Sequence, residues 1–178
     1  GKHYLYDWLP QAKDWTMCAS IDGIGEIGEF IRTGLDWEQW DKNFREGVAL
    51  PGGNDKMLMD LTLTGPGMFG IKDLFDYALE LDVKIETKRM FAFHDDIVMS
   101  PMAWPRHILD RIIHENLDYI RPRATRKQET LIRELENMLN VPTFQEQWPD
   151  TAEDHFFNGR QWQKTIADMR PNEALTIE

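Results

Sequence analysis

The chain is poor in the residues that most readily declare a function. Its 178 residues include one cysteine, Cys18. A single thiol excludes an internal disulfide, and it excludes any zinc or iron–sulfur centre built from several cysteines of this chain. No apolar run approaches the length of a membrane span, and no secretory signal is visible. Positive charge is scarce: 20 Lys and Arg stand against 31 Asp and Glu, a formal net charge of −11. Such a surface does not favour nucleic acid or an anionic membrane as a partner. The one basic cluster, Arg121, Arg123, Arg126 and Lys127, reads more simply as a solvated helix start than as a phosphate site. No repeat and no low-complexity segment is present. The lone thiol fits a reducing, cytoplasmic location.

What is present suits a folded domain. Hydrophobic residues are 42% of the chain and charged residues 29%, and seven Trp with nine Phe supply large core anchors. The length allows one domain or two small ones. Residues 15–21 are apolar or small throughout. This predicts a strand covered on both faces, with Cys18 inside it as a buried, inert thiol. Gly23 and Gly25 mark a turn, and Ile24, Ile27, Phe30 and Ile31 then recur at helical spacing up to Arg32. A second helix fits 36–48, capped by Asp36. Residues 57–64 alternate strictly, with Leu58, Asp60, Thr62 and Thr64 against Met59, Leu61 and Leu63, so one face of this strand is polar. A helix over 69–81 and a strand over 83–91 follow, the strand setting Val83, Ile85 and Thr87 against Lys84, Glu86 and Lys88. After an irregular stretch, helices are expected over 106–120, from the Thr125 cap to 140, and over 156–169, with 142–154 as a loop. Alternation of strands and helices predicts an α/β fold with a parallel sheet and right-handed crossovers. Three strands make a thin sheet with two edges, which is ordinarily part of something larger.

In a parallel sheet the carboxyl ends of the strands converge, and ligands bind there. That edge would bring together Ser20, Asp22, Thr64 and the start of His94-Asp95-Asp96. A hydroxyl and a carboxylate at one strand end can hold a ribose or an amino acid head group, and Arg32, one helix later, can grip a carboxylate in a fork. Ser20 and Asp22 can equally cap the next helix, and the sequence leaves both readings open. His94, Asp95 and Asp96 are adjacent and cannot all face one point, while His107 and His114, seven residues apart on one helix, are too distant to share an ion. Gly23, Gly25 and Gly28 have the glycine density of a dinucleotide turn without its acidic partner after a following strand.

The motifs in order resemble a family. Ser20-Ile21-Asp22-Gly23, the helix reaching Ile31-Arg32, then Gly34-Leu35-Asp36-Trp37 and Asn43, are similar to the middle of radical S-adenosylmethionine enzymes of the SPASM/twitch type. The Leu61-Thr62-Leu63-Thr64 strand with its helix resembles the next unit, and Met99-Ser100-Pro101 with Trp104-Pro105 resembles the proline-rich stretch that follows. Gly159-Arg160 and Met169-Arg170-Pro171 resemble the family's C-terminal helix. The resemblance implies half of a partial (β/α) barrel over residues 1–121 and a C-terminal helical extension over 122–178, without an auxiliary cluster. It implies S-adenosyl-L-methionine as cofactor, cleaved reductively at a [4Fe–4S] cluster to give a 5′-deoxyadenosyl radical that abstracts hydrogen from a peptide or small-molecule substrate. By position, Ser20 and Arg32 would contact the methionine carboxylate, Asp22 would order the turn or approach the ribose, and the Leu63-Thr64 strand end would lie near the adenine. The cluster motif C-x-x-x-C-x-x-C is absent, so the cluster would be held by residues outside this chain, in a missing N-terminal barrel half. The alternative expectation is a non-catalytic α/β binding or scaffold domain derived from such a barrel.

Overall fold

The alternation read in residues 57–64 organises the whole structure. A computed structural model describes residues 4–89 and 98–169. Strands β1 (Met17–Ile21), β2 (Met57–Leu63) and β3 (Lys84–Arg89) form one open sheet in the order β1-β2-β3, with both pairings parallel. Two short segments, α1 (Leu5–Trp8) and the 3-10 turn Leu9–Gln11, precede it. Between β1 and β2 come α2 (Gly25–Ile31), α3 (Trp37–Val48) and the single turn α4 (Gly53–Lys56). Between β2 and β3 come the 3-10 segment Pro66–Gly70 and α5 (Ile71–Glu80). The helices α6 (Arg106–Ile120), α7 (Glu129–Asn140), α8 (Phe144–Gln147) and α9 (Ala152–Met169) complete the described chain.

Sequential neighbours joined by crossovers of one hand receive all their helices on the same side of the sheet. Burial follows that rule. Ile21, Met57, Met59, Leu61, Leu63, Val83 and Ile85 are buried in one core with Phe75, Leu109, Ile113, Leu117 and Leu135 from the helices. The alternate positions form the opposite face, where the register sets Cys18 beside Leu58 and Lys84, and Ser20 beside Asp60 and Glu86. None of these open-face residues is buried.

This corrects the expectation for β1. Its residues do not sit between two layers: Met17 and Ala19 pack against the core, whereas Cys18 and Ser20 are exposed on the open face. Cys18 is therefore an exposed thiol and not a buried one. Cys, Ala and Met suit either face of a half-covered strand, so composition did not reveal the alternation. The stretch 142–154 also differs from the loop expected, because α8 lies within it and α9 begins at Ala152. Thr143 and Glu146 cap α8 reciprocally, each side chain taking the other residue's backbone N–H. The predicted caps Asp36 and Thr125 are both in place. Three of the four residues of the basic cluster are engaged in ion pairs: Arg121 with Glu136, Arg123 with Asp76, and Lys127 with Asp55 and Asp82. No helix among the described residues is long and apolar enough to cross a membrane. The third strand's expected continuation to 91 and the His94-Asp95-Asp96 cluster lie outside the described residues.

One contact predicts a local acid transition. Arg106 donates to both carboxylate oxygens of Glu146, at 3.3 and 2.7 Å. This bond first, and the Thr143 N–H second, lower the Glu146 pKa from 4.5 to about 2. A carboxyl whose pKa is depressed by folding stabilises the fold above its unfolded value, and that contribution is lost as pH falls through the folded value. Docking of α8 should therefore weaken between pH 4.5 and about 2. Trp148, which packs on Phe144, reports it by fluorescence. Glu146→Gln should remove the transition; an unchanged titration in that variant would assign it elsewhere.

Candidate functional site

The site is built where β1 runs out. The last backbone pair between β1 and β2 is Ile21 with Leu61. One step further, the Thr62 N–H has no strand carbonyl opposite and donates instead to Asp22 Oδ1 at 3.1 Å. The Asp22 side chain thus extends the ladder by one bond. Its other oxygen, Oδ2, accepts from Arg32 Nε at 2.6 Å. Both oxygens of a carboxylate that is only 7% exposed are therefore partnered, as a buried charge requires.

Arg32 reaches Asp22 from the C-terminal end of α2, a two-turn helix that packs against the 3-10 segment after β2. Its backbone N–H closes the helix on the Gly28 carbonyl at 2.9 Å. The α2 N-cap is Ile24, and no side chain caps that end. Neither Ser20 nor Asp22 is a helix cap, so the cap reading of these two residues does not hold. Two glycines let this corner close. A Cβ on Gly28 would stand 2.3 Å from the Gly23 carbonyl oxygen, and a Cβ on Gly67 would stand 2.6 Å from the Asp22 carbonyl oxygen. Gly23 and Gly28 thus serve close packing of this corner, whereas Gly25 supplies a positive φ of 55°.

Arg32 keeps 39% of its side-chain surface exposed. Its Nε is committed to Asp22, and no hydrogen bond from Nη1 or Nη2 occurs among the described residues. The two Nη groups form the end-on fork that suits a carboxylate. Ser20 stands on the open face and donates from Oγ to Asp60 Oδ2 at 3.2 Å. Lys88 of β3 donates to both Asp60 oxygens at 2.7 Å. The Lys88 ammonium, and after it the Ser20 hydroxyl and the Arg32 charge, hold the Asp60 carboxyl below its ordinary pKa despite partial burial.

The four residues singled out in the sequence thus divide. Ser20 and Arg32 are open to a ligand, and Asp22 holds Arg32 in place. Thr64 is only 3% exposed, and its hydroxyl accepts the Gly67 N–H at 3.1 Å, so it shapes the turn after β2. Asp60 and Lys88 belong with Ser20 and were not singled out from the sequence, although their alternation put both on polar strand faces. The cross-strand register that joins them is what a single sequence does not contain.

No family model, curated protein or solved structure matches the chain. An α-carboxylate fits the Arg32 fork. A [4Fe–4S] cluster does not fit this chain's donor set, because such clusters are held by several cysteine thiolates and Cys18 is alone. Among the described residues no three His, Cys, Asp or Glu side chains are grouped to hold a metal ion.

Proposed function

We propose that this chain supplies the cofactor-holding edge and the substrate-facing sheet of a radical S-adenosylmethionine enzyme, with the [4Fe–4S] cluster held by residues outside it. On this reading residues 1–121 form part of a partial β/α barrel, residues 122–178 form a helical extension, the open polar sheet face is the barrel interior, and the location is cytoplasmic. A sheet wound in one direction, with its helices on one side, supports that arrangement. The observation that carries the proposal is the Arg32 guanidinium, turned back to the carboxyl edge of β1 and held there through Nε. Its remaining donors, beside the Ser20 hydroxyl, are suited to the methionine carboxylate. When bound at a reduced cluster, S-adenosylmethionine supplies reductive cleavage and hydrogen abstraction. The residues of this chain bind and orient it. Asp22 fixes Arg32 and acts as a positioning residue, and the turn after β2 lies along the same edge, where the adenine would rest. The substrate would be a peptide or a small molecule.

The test is a titration of the chain with S-adenosylmethionine and with methylthioadenosine, which lacks the amino acid moiety. Arg32→Ala should weaken S-adenosylmethionine by about 1.5–3 kcal/mol, the range for a hydrogen bond to a charged group. Methylthioadenosine binding should be unaffected. Equal affinities of wild type and Arg32→Ala for S-adenosylmethionine would overturn the assignment. Because the single cysteine of this chain cannot hold a cluster, the second reading is a non-catalytic α/β binding or scaffold domain of the same origin. Anaerobic reconstitution of the full-length protein with iron and sulfide separates the two, since only the enzyme should retain a cluster.

A further inference from the structure

The amino edge of the sheet, opposite the Asp22–Arg32 corner, gathers oxygens around one cation. Asn54 and Asp55 belong to α4, which leads into β2, and Asp82 lies in the turn that leads into β3. The Lys127 ammonium sits among them, carried by the 3-10 turn Arg126–Gln128 that opens α7. It lies 2.8 Å from Asp55 Oδ1 and 3.1 Å from Asp82 Oδ2. It also lies 2.6 Å from the Asp82 carbonyl oxygen and 3.4 Å from the Asn54 carbonyl oxygen. Asp82 presents both its carboxylate and its carbonyl to the same cation, from a left-handed backbone with φ 51°. Asn54 Nδ2 donates to Asp82 Oδ2 at 2.9 Å and so orients that ligand from outside.

This oxygen set exceeds what an ammonium uses. Lysine has three N–H donors, and four oxygens surround them. The ammonium carries one positive charge, whereas the two carboxylates carry two negative ones. Hard oxygens of mixed carboxylate and carbonyl type, with a formal charge of −2, suit a divalent cation of the calcium class. Only two side chains contribute, so no trio of acidic ligands marks the place. We infer that these four oxygens form a cation site that the chain fills with its own lysine, and that the site takes a free calcium-class cation when the ammonium is withdrawn. The resident cation ties α4 to the start of α7 across 73 residues, and the entry of β3 to it across 45. Asp55 is 72% exposed, so ions from solvent reach the oxygens once the lysine is gone.

The experiment is a thermal melt of the full chain, as wild type and as Lys127→Ala, titrated with calcium chloride at an ionic strength fixed by sodium chloride. Lys127→Ala should melt below wild type. Calcium at about 10 mM should raise the melting temperature of the variant by roughly 3–6 °C, as a Kd near 1 mM gives. Wild type should not respond, because its ammonium already holds the site. n-Propylammonium, which restores the atoms that the substitution removes, should also raise the variant. Adding Asp82→Asn to Lys127→Ala should abolish the calcium response. If Lys127→Ala is unfolded without added cation, recovery of its far-UV circular dichroism on adding calcium is the readout. A variant that responds to calcium no more than wild type does, or a response that survives Asp82→Asn, overturns the inference.

Discussion

Gly28→Ala should destabilise the protein by about 3 kcal/mol, at the upper end of the overpacking range. Local propensity gives the opposite sign. Gly28 sits inside α2, where alanine is favoured over glycine by about 1 kcal/mol. The steric term decides, because the added Cβ would stand 2.3 Å from the Gly23 carbonyl oxygen and 3.2 Å from Leu35 Cδ2. The first of these neighbours is backbone and cannot rotate away. The turn between β1 and α2 would have to lift, and it carries the Asp22 end of the Asp22–Arg32 pair. For a chain of this size the expected fall in Tm is roughly 6–12 °C. A thermal melt measures it, and a variant as stable as wild type would show that the turn does not pack against α2 in this way. Gly28→Ser should be no better, since it adds the same Cβ.

How far the sequence reveals the fold depends on what each element needs from the rest of the chain. The helices α3, α5, α6 and α7 were legible because their apolar residues recur at helical spacing, and Asp36 and Thr125 mark starts through bonds only two or three residues long. The strand β2 was legible because its two faces differ sharply in polarity. The strand β1 was not, since its open face carries a cysteine and a serine and its covered face an alanine, all small enough to suit either environment. The turn α8 was hidden beside Pro142, with a single helical turn too short to show a period. In the site, the strand-end position of Ser20 and Asp22 was readable. So was the spacing to Arg32, because a two-turn helix that starts at this edge is short enough to leave the residue after it within side-chain reach of Asp22. The bonds from Asp22 to Thr62 and from Asp60 to Ser20 and Lys88 span 40, 40 and 28 residues. They exist only once the register is set, and no local pattern encodes them.

The same distinction between local and register-dependent bonds makes Asp22 the most informative residue to change. Asp22→Ala removes two bonds at once. The Thr62 N–H, half-buried one step past the last β1–β2 pair, is left without its acceptor, which costs about 1–3 kcal/mol. Loss of the Arg32 contact adds less, because a guanidinium more than a third exposed is screened by solvent. A total of about 1–4 kcal/mol is expected, read from chemical denaturation. Asp22→Asn divides the two roles. Its Oδ1 still accepts from Thr62, but its amide nitrogen faces the Arg32 Nε–H, donor against donor. Stability should then stay within about 1.5 kcal/mol of wild type, because the sheet bond survives. Ligand binding should nevertheless fall close to the Arg32→Ala level, because the fork is no longer aimed. If Asp22→Asn bound S-adenosylmethionine as tightly as wild type, Asp22 would be a sheet-end residue only, and the orientation of Arg32 would need another cause. If Asp22→Asn were as unstable as Asp22→Ala, the Thr62 bond would not be what holds the corner. The pair of variants thus measures separately how this edge is folded and how it is aimed, which one substitution at Arg32 does not do.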